Sequence, residues 1–379
     1  MAALLLIVPV AIISGRAGWP SLLQFVLTVA SIVPLAAFIG VATEELAGRL
    51  GGKIGGLLNA TFGNAPDLLV GVFGLQKGLV PLVKATLVGA LISNSALVMG
   101  LCLVVAGLIH RRPRFDRREA GHHGVLMMLT VAAVLFPTIS SFVVCGRGGC
   151  RSSSSTDELE AVSVAIAVIL LLAYCAYVVF GIFGWEGKGR AESEASETRS
   201  VTRAAEAAQR TRWPAWVSVV VLGGATAALV PITDTLTGSV TPVTGVLGWT
   251  EVFVGMIIVA NAGNAAEAYA AIRLAARRRG SPVPGEPSGL DLSLAIASAS
   301  SVQIAAFVMP LVVLYSLFVH PMSLIFSGVE VAVLALLAIL FAMICNDGES
   351  NWLEGAQLLA LYGMAAVLFY ELPVSAFNG

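Results

Sequence analysis

Long apolar runs alternate with short polar stretches along most of the chain, and the runs are bounded by Gly, Pro and clusters of charge. An apolar run of about 20 residues is long enough to cross a bilayer as an α-helix. Eleven runs are found: residues 2–15, 21–46, 53–76, 80–108, 121–144, 158–184, 213–237, 245–276, 290–319, 323–345 and 351–371. The pattern therefore predicts an all-α polytopic membrane protein with about eleven transmembrane helices.

The first run, residues 2–15, is short and follows Met1 directly, as the apolar region of a signal peptide does. A signal peptide also carries a positively charged start and a cleavage site of small-x-small residues. Neither feature precedes the second run. We therefore expect the first run to be retained as a transmembrane helix.

The other ten runs fall into two sets of five, separated by a mixed-charge stretch that is poor in large apolar residues. Because each set crosses the membrane an odd number of times, the second set enters the bilayer with the opposite orientation to the first. The predicted organisation is one helix followed by two inverted-topology five-helix repeats. Its parts are a first helix (1–20), a first repeat (21–185), a cytosolic linker (186–212), a second repeat (213–371) and a C-terminal tail (372–379).

Composition agrees with a membrane protein, because 57% of the residues are hydrophobic and only 12% are charged. Soluble domains carry about 25% charged residues. The mean hydropathy is +0.89 and the sequence pI is near 6.4. With a net charge of -1 and no basic domain to neutralise phosphates, the chain is not expected to bind nucleic acid, and the lipid bilayer is its expected surroundings.

Basic residues are unevenly divided between the two sides of the predicted eleven-helix topology. Of the 22 Lys and Arg residues, all but five fall on the side of the N-terminus. The five on the other side are Arg16, Lys77, Lys84, Arg147 and Arg151. Cytosolic loops carry the excess of Lys and Arg, so the N-terminus is expected in the cytosol and the C-terminus outside or in a lumen.

Two cysteines lie close together in a loop on the non-cytosolic side, within the sequence CGRGGC at 145–150. The glycines between Cys145 and Cys150 permit a tight closure, and an outward-facing loop is compatible with an oxidised pair. A disulfide between them would be structural, and two free thiols are the alternative.

Two similar motifs bring a carboxylate into apolar runs: GNAPDLLVG at 63–71 and GNAAEAYAA at 263–271. Each motif lies in the second run of its set, so the two coincide under the repeat symmetry. A charged side chain near the middle of a transmembrane helix costs about 2.5–3.5 kcal/mol on insertion scales, so such residues are usually functional. The predicted cation site comprises Gly63, Asn64, Asp67, Gly263, Asn264 and Glu267.

Oxygen-bearing side chains recur every three residues in both motifs, as Asn64 with Asp67 and Asn261 with Asn264 show. Residues at this interval project near one face of a helix. Hard oxygen ligands suit Ca²⁺, whereas soft metals prefer Cys and His. The motif glycines and Pro66 weaken the helical hydrogen-bond pattern, so backbone carbonyls could also turn toward a cation.

The next run of each set adds polar residues in the sequences SNS at 93–95 and SASSVQ at 298–303. Asparagine and glutamine there are interpreted as lining the site, while the serines could instead let neighbouring helices approach closely. The predicted secondary lining comprises Asn94, Ser95, Asn261, Ser300 and Gln303.

Four stretches together resemble the calcium/proton antiporters, the CAX branch of the cation/calcium exchanger superfamily. They are LLNATFGNAPDLLVG, GNAAEAYAA, SVQIAAFVMPLVVL and DGESNWLEGAQLLALY, and the resemblance extends over residues 5–371. It implies an eleven-helix exchanger that moves Ca²⁺, and sometimes other divalent cations, out of the cytosol in return for protons. The chain departs from the usual pattern at Asp67, where the family has Glu, and at Ala268, where it has His.

A further stretch, VATEELAG at 41–48, resembles the family's pattern near the cytosolic end of the second helix. The resemblance implies that Glu44 or Glu45 helps at the cytosolic entrance, and a plain surface position is the alternative. Family members lie in the cell membrane of bacteria and in the vacuolar membrane of fungi and plants. The short N-terminus favours the bacterial case.

The expected mechanism is competition, in which Asp67 and Glu267 hold either a dehydrated divalent cation or protons. Two neighbouring carboxylates at low dielectric cannot easily both ionise without a cation. Ca²⁺ is then the transported substrate, H⁺ the counter-ion, and no cofactor is expected. A sodium-coupled calcium exchanger is the nearest alternative and a cation channel a more distant one. A membrane enzyme is disfavoured, because neither H-E-x-x-H nor G-x-S-x-G is found.

Overall fold

A computed structural model of the chain describes residues 5–50, 58–110, 115, 128, 131–141, 143, 153–183, 213–277 and 288–372. The predicted disulfide pair Cys145 and Cys150, the predicted 186–212 linker and the 372–379 tail lie outside these residues, apart from residue 372. The helices are α1 (Ile7–Arg16), α2 (Ser21–Leu50), α3 (Ala65–Gln76), α4 (Val80–His110), α5 (Val131–Ser141), α6 (Ser153–Phe183), α7 (Ala215–Leu247), α8 (Glu251–Ala275), α9 (Gly289–Ser316), α10 (Gly328–Asp347) and α11 (Trp352–Glu371).

The eleven helices follow the eleven predicted runs in order. Among the described residues, seven helices are long and apolar enough to cross a membrane, and four shorter helices are also apolar. The shorter ones are α1, α3, α5 and α10. The prediction of an all-α membrane protein is therefore confirmed.

One difference from the sequence prediction lies at the junction of α7 and α8. α7 continues ten residues beyond its predicted end at 237, passes through Pro242 and ends at Leu247. Gly248, with φ of 70°, follows in the left-handed conformation, and α8 begins only at Glu251. A proline inside a helix removes one backbone hydrogen bond and often ends the helix. In membrane helices the carbonyl group left without a partner can be satisfied by neighbouring helices, so the helix can continue.

α2 packs along α7, so the first helices of the two predicted repeats are partners. Their contact is made by apolar residues that are at most 3% exposed: Ile32, Leu35, Ile39, Leu229, Ile232 and Leu236. A second apolar cluster joins α4, α8, α9, α10 and α11. α3 and α8 contribute residues to both clusters and therefore lie between them.

Glycines allow α4 to lie unusually close to two other helices. A methyl group at Gly89 would come 2.5 Å from the Met256 backbone of α8, and one at Gly255 of α8 would come 2.8 Å from the Leu82 carbonyl of α4. Gly100 of α4 and Gly355 of α11 make a similar reciprocal contact. Small residues of this kind let membrane helices approach backbone to backbone.

Gly89→Ala is expected to destabilise the protein, because the added methyl group would meet main-chain atoms that cannot turn away. Overpacking of this type costs about 1–3 kcal/mol. The midpoint of thermal unfolding in detergent should fall, while Gly223→Ala, where no atom lies within 4 Å of the added carbon, should leave it unchanged. Equal midpoints for the two variants would contradict close packing of α4 on α8.

Candidate cation site

A π-helical turn lies in, or directly before, each of the four helices that carry residues of the predicted cation site and its lining. These turns are Asn59–Gly63 before α3, Ser93–Val98 in α4, Val254–Val259 in α8 and Ile304–Val308 in α9. A π-turn shifts the backbone hydrogen bonds from i+4 to i+5, and such turns are frequent at functional sites. The helical hydrogen-bond pattern is thus altered in or next to each of these four helices.

The first motif also breaks the helix, whereas the second does not. Asn64, with φ of -92° and ψ of 12°, separates the π-turn from α3. Pro66 then lies in the first turn of α3, where its missing N–H is not needed. Ala266 stands at the matching position of α8, which is continuous from Glu251 to Ala275. Proline therefore accounts for an interruption in one motif only.

The Asp67 carboxylate is buried, with 3% of the residue exposed, and lies against the glycine of the other motif. A methyl group at Gly263 would come 3.0 Å from Asp67 Oδ1 and 3.7 Å from Pro66 Cβ. Glu267 is one helical turn further along α8 and close enough for its charge to act on Asp67. The structure thus brings the two predicted carboxylates together, and the motif glycine provides the space.

Two buried polar atoms at this place have no hydrogen-bond partner within the described chain. They are Glu267 Oε2 and Asn264 Nδ2. Leaving a buried polar group unsatisfied costs about 1–3 kcal/mol, so such atoms indicate where a ligand would bind. A carboxylate oxygen in this position suits a cation or a proton.

Hydrogen bonds across the two predicted repeats hold the surrounding side chains. They run from Asn64 Nδ2 to Gln303 Oε1 (2.8 Å), from Asn94 Nδ2 to Ser300 Oγ (2.9 Å) and from Ser93 Oγ to Asn261 Oδ1 (2.6 Å). Ser300 is also hydrogen-bonded to Glu267. Asn94 and Ser300 are therefore in contact with each other, Gln303 contacts the first motif, and Asn261 contacts Ser93, the neighbour of Asn94 in the chain.

Ser95, the fifth predicted lining residue, faces a separate small cavity between α4, α9 and α10. The cavity has a volume of about 10 Å³, and its walls include Asn94, Ser95, Ser298 and Ser301. That volume is close to the smallest that can hold one water molecule. Because Asn94 borders both the cavity and the hydrogen bond to Ser300, the cavity adjoins the site without being part of it.

The acidic pair Glu44 and Glu45 lies on α2. Glu44 is exposed and Glu45 half-buried, near the end of the helix. Their predicted role at a cytosolic entrance stays a prediction.

The atoms at this site that could bind a metal ion are oxygens. No group of three His, Cys, Asp or Glu side chains is found among the described residues. Ligands to a cation beyond Asp67 and Glu267 would therefore be amide, hydroxyl or backbone oxygens, such as those of Asn64 and the π-turns. Ca²⁺ binds this kind of ligand set, and a soft metal does not.

One polar residue at the edge of the site was missed by the sequence analysis. Tyr362 of α11 accepts a 2.6 Å hydrogen bond at its hydroxyl from Asn261 Nδ2. The only sequence signal was a hydroxyl-bearing aromatic residue in the middle of an apolar helix, and such a residue is also typical of core packing.

Gly263→Ala is expected to weaken divalent-cation binding several-fold, because the methyl group would displace the Asp67 carboxylate by a few tenths of an ångström. Calorimetric Ca²⁺ titration of the purified protein measures the effect. Gly245→Ala is the matched control, since nothing lies within 4 Å of the carbon added there. Unchanged binding in Gly263→Ala would mean that Asp67 does not contact the cation.

Comparisons with known proteins agree with this architecture. The family profile described as sodium/calcium exchanger protein matches residues 20–183 and 217–371. The chain is 35% identical to the Ca²⁺/H⁺ antiporter ChaA of Bacillus subtilis, over 96% of this chain and 97% of that protein. It is 34% identical to a Ca²⁺/H⁺ antiporter of Synechocystis, over 98% and 96%.

Solved structures of exchangers also match the fold of this chain. The structure of native YfkE matches with a TM-score of 0.76 at 32% identity, covering 96% of this chain and 97% of that one. An H⁺/Ca²⁺ exchanger CAX structure matches with a TM-score of 0.66 at 15% identity, over 97% and 90%, and at that identity supports the fold alone. The chain belongs to the sodium/calcium exchanger protein family.

Proposed function

We propose that this integral membrane protein is a secondary active transporter that exchanges Ca²⁺ for H⁺ by alternating access. The observation that carries the proposal is the proximity of two carboxylates, the buried Asp67 and the half-buried Glu267, whose Oε2 atom is itself buried. The relatives named as Ca²⁺/H⁺ antiporters, which match nearly the whole chain, support the choice of ions.

Exchange follows from the cost of burying charge. With both carboxylates ionised and no cation present, the site would hold two negative charges inside the bilayer, which is strongly unfavourable. A divalent cation removes this cost, and so do protons, but a protonated carboxylate is a poor cation ligand. The site therefore switches from facing one side of the membrane to facing the other only when it holds either Ca²⁺ or protons. This requirement couples Ca²⁺ transport to H⁺ transport.

Ca²⁺ takes about six to eight oxygen ligands in a flexible geometry. In this proposal Asp67 and Glu267 supply the charge, and Asn64 and Asn264 supply amide oxygens. Backbone carbonyls at the altered helical turns complete the set. Gln303 orients the Asn64 side chain by accepting a hydrogen bond from its amide nitrogen.

Polar contacts at the C-terminal end of α3 would close the outer face, given the proposed topology with a cytosolic N-terminus. Lys77 Nζ lies 2.7 Å from Asp234 Oδ1 and 2.9 Å from Thr237 Oγ1, both on α7. Gln76 Nε2 donates to the hydroxyl of Tyr315 on α9 at 2.8 Å. The helix that carries Asp67 is thus joined at this end to two helices of the second repeat.

Acid-inside proteoliposomes containing the native chain should take up Ca²⁺, and Asp67→Asn or Glu267→Gln should abolish the uptake, since each removes an ionisable ligand. Glu251→Gln is the matched control, because this carboxylate lies at the start of α8, where it accepts a hydrogen bond from Thr241 Oγ1. Its uptake should match that of the native protein. Uptake that follows a Na⁺ gradient and ignores the pH gradient would contradict proton coupling.

Asp234→Lys should slow exchange a few-fold, because two positive charges would then face each other at the outer end of α3. The effect should be modest, since partly exposed ion pairs contribute about 0–1 kcal/mol. The exchanged pair, Lys77→Asp with Asp234→Lys, should recover much of the rate in the same uptake assay. A double variant no faster than Asp234→Lys alone would argue against a role for this pair in transport.

A further inference from the structure

Asn261 makes three short hydrogen bonds, and two of them connect α8 to other helices. Its Oδ1 accepts a bond from Ser93 Oγ of α4 at 2.6 Å. Its Nδ2 donates to the Ile257 carbonyl at 2.6 Å and to the Tyr362 hydroxyl of α11 at 2.6 Å. A continuous polar chain therefore runs from α4 through α8 to α11.

These bonds fix which way the Asn261 amide points. A side-chain amide has two N–H donors and one carbonyl oxygen. Both donors of Asn261 are used, one by Ile257 and one by Tyr362, so the oxygen must face α4. Without the Tyr362 hydroxyl, one donor would lose its partner, and the amide would be held in this orientation by the Ile257 carbonyl alone.

The orientation matters because Asn261 shares a helix face with the exchange site. Asn264 follows three residues later and Glu267 six residues later on α8. On α4, Ser93 is next to Asn94, which donates to Ser300, the hydrogen-bond partner of Glu267. An amide oxygen directed toward this region attracts a cation, whereas amide hydrogens directed there would repel it.

The same bonds also support the π-turn of α8. Ile257 lies within the π-helical segment Val254–Val259, where the backbone hydrogen bonds are shifted. The Asn261 side chain donates to the Ile257 carbonyl. An amide held by Tyr362 therefore also maintains the local geometry of the helix that carries Glu267.

We propose that Tyr362 is a positioning residue for the divalent-cation site, which directs the Asn261 carbonyl oxygen toward α4 without contacting the cation itself. This inference rests on the proposed function of Asp67 and Glu267. The Tyr362 ring packs against the apolar cluster of α4, α8, α9, α10 and α11. Tyr362→Phe therefore keeps the packing and removes only the hydroxyl.

The test is Ca²⁺ uptake by the full chain in acid-inside proteoliposomes over a range of Ca²⁺ concentrations. Tyr362→Phe should raise the KM for Ca²⁺ about fivefold to tenfold, as expected for loss of one buried hydrogen-bond partner, with a maximal rate within twofold of native. Tyr370→Phe makes the same change on the same helix, at a side chain that is 46% exposed, and should leave the KM unchanged.

A double-mutant cycle with Asn261→Ala separates positioning from packing. If Tyr362 acts through Asn261, Tyr362→Phe should have no further effect on the KM in the Asn261→Ala background. Additive effects, or a native KM in Tyr362→Phe, would overturn the inference while leaving the exchanger function intact. A native chain without acid-driven Ca²⁺ uptake would instead overturn the proposed function itself.

Discussion

The cost of holding two carboxylates inside a bilayer is the constraint on which the rest of the structure depends. Asp67 is almost fully buried and acts electrostatically on Glu267, and no Lys or Arg side chain forms an ion pair with either among the described residues. Such a pair persists only where the surroundings supply hydrogen bonds and where a cation or protons can neutralise it. Gly263 provides the space, and Ser300 and its neighbours provide the polar surroundings.

The polar bonds of the site join one half of the chain to the other. Asn64, Ser93 and Asn94 each bond a residue of the second half, and the apolar partners α2 and α7 make the same kind of connection outside the site. α4 and α8 cross at a glycine contact just beside the polar residues. A site built at such a boundary changes its shape whenever the halves move relative to each other.

The sequence analysis identified the helices because apolar length is a strong and local signal, and it identified Asp67 and Glu267 because a carboxylate in an apolar run is conspicuous. The sequence did not predict the π-turns, the full length of α7 or the role of Tyr362. π-turns have no clear sequence signature, and Pro242 resembles a helix end although α7 continues through it. Tyr362 resembles core packing until its partner Asn261 is known, since the contact spans about a hundred residues of sequence.

The unequal backbones of the two motifs have a mechanical consequence. Asp67 follows a break at Asn64, which offers its short helix a pivot, whereas Glu267 belongs to a helix that has no such break at the matching position. Although the two motifs are similar in sequence, their helices differ in backbone continuity. The two carboxylates are therefore carried by unequal supports, so opening toward one face need not mirror opening toward the other.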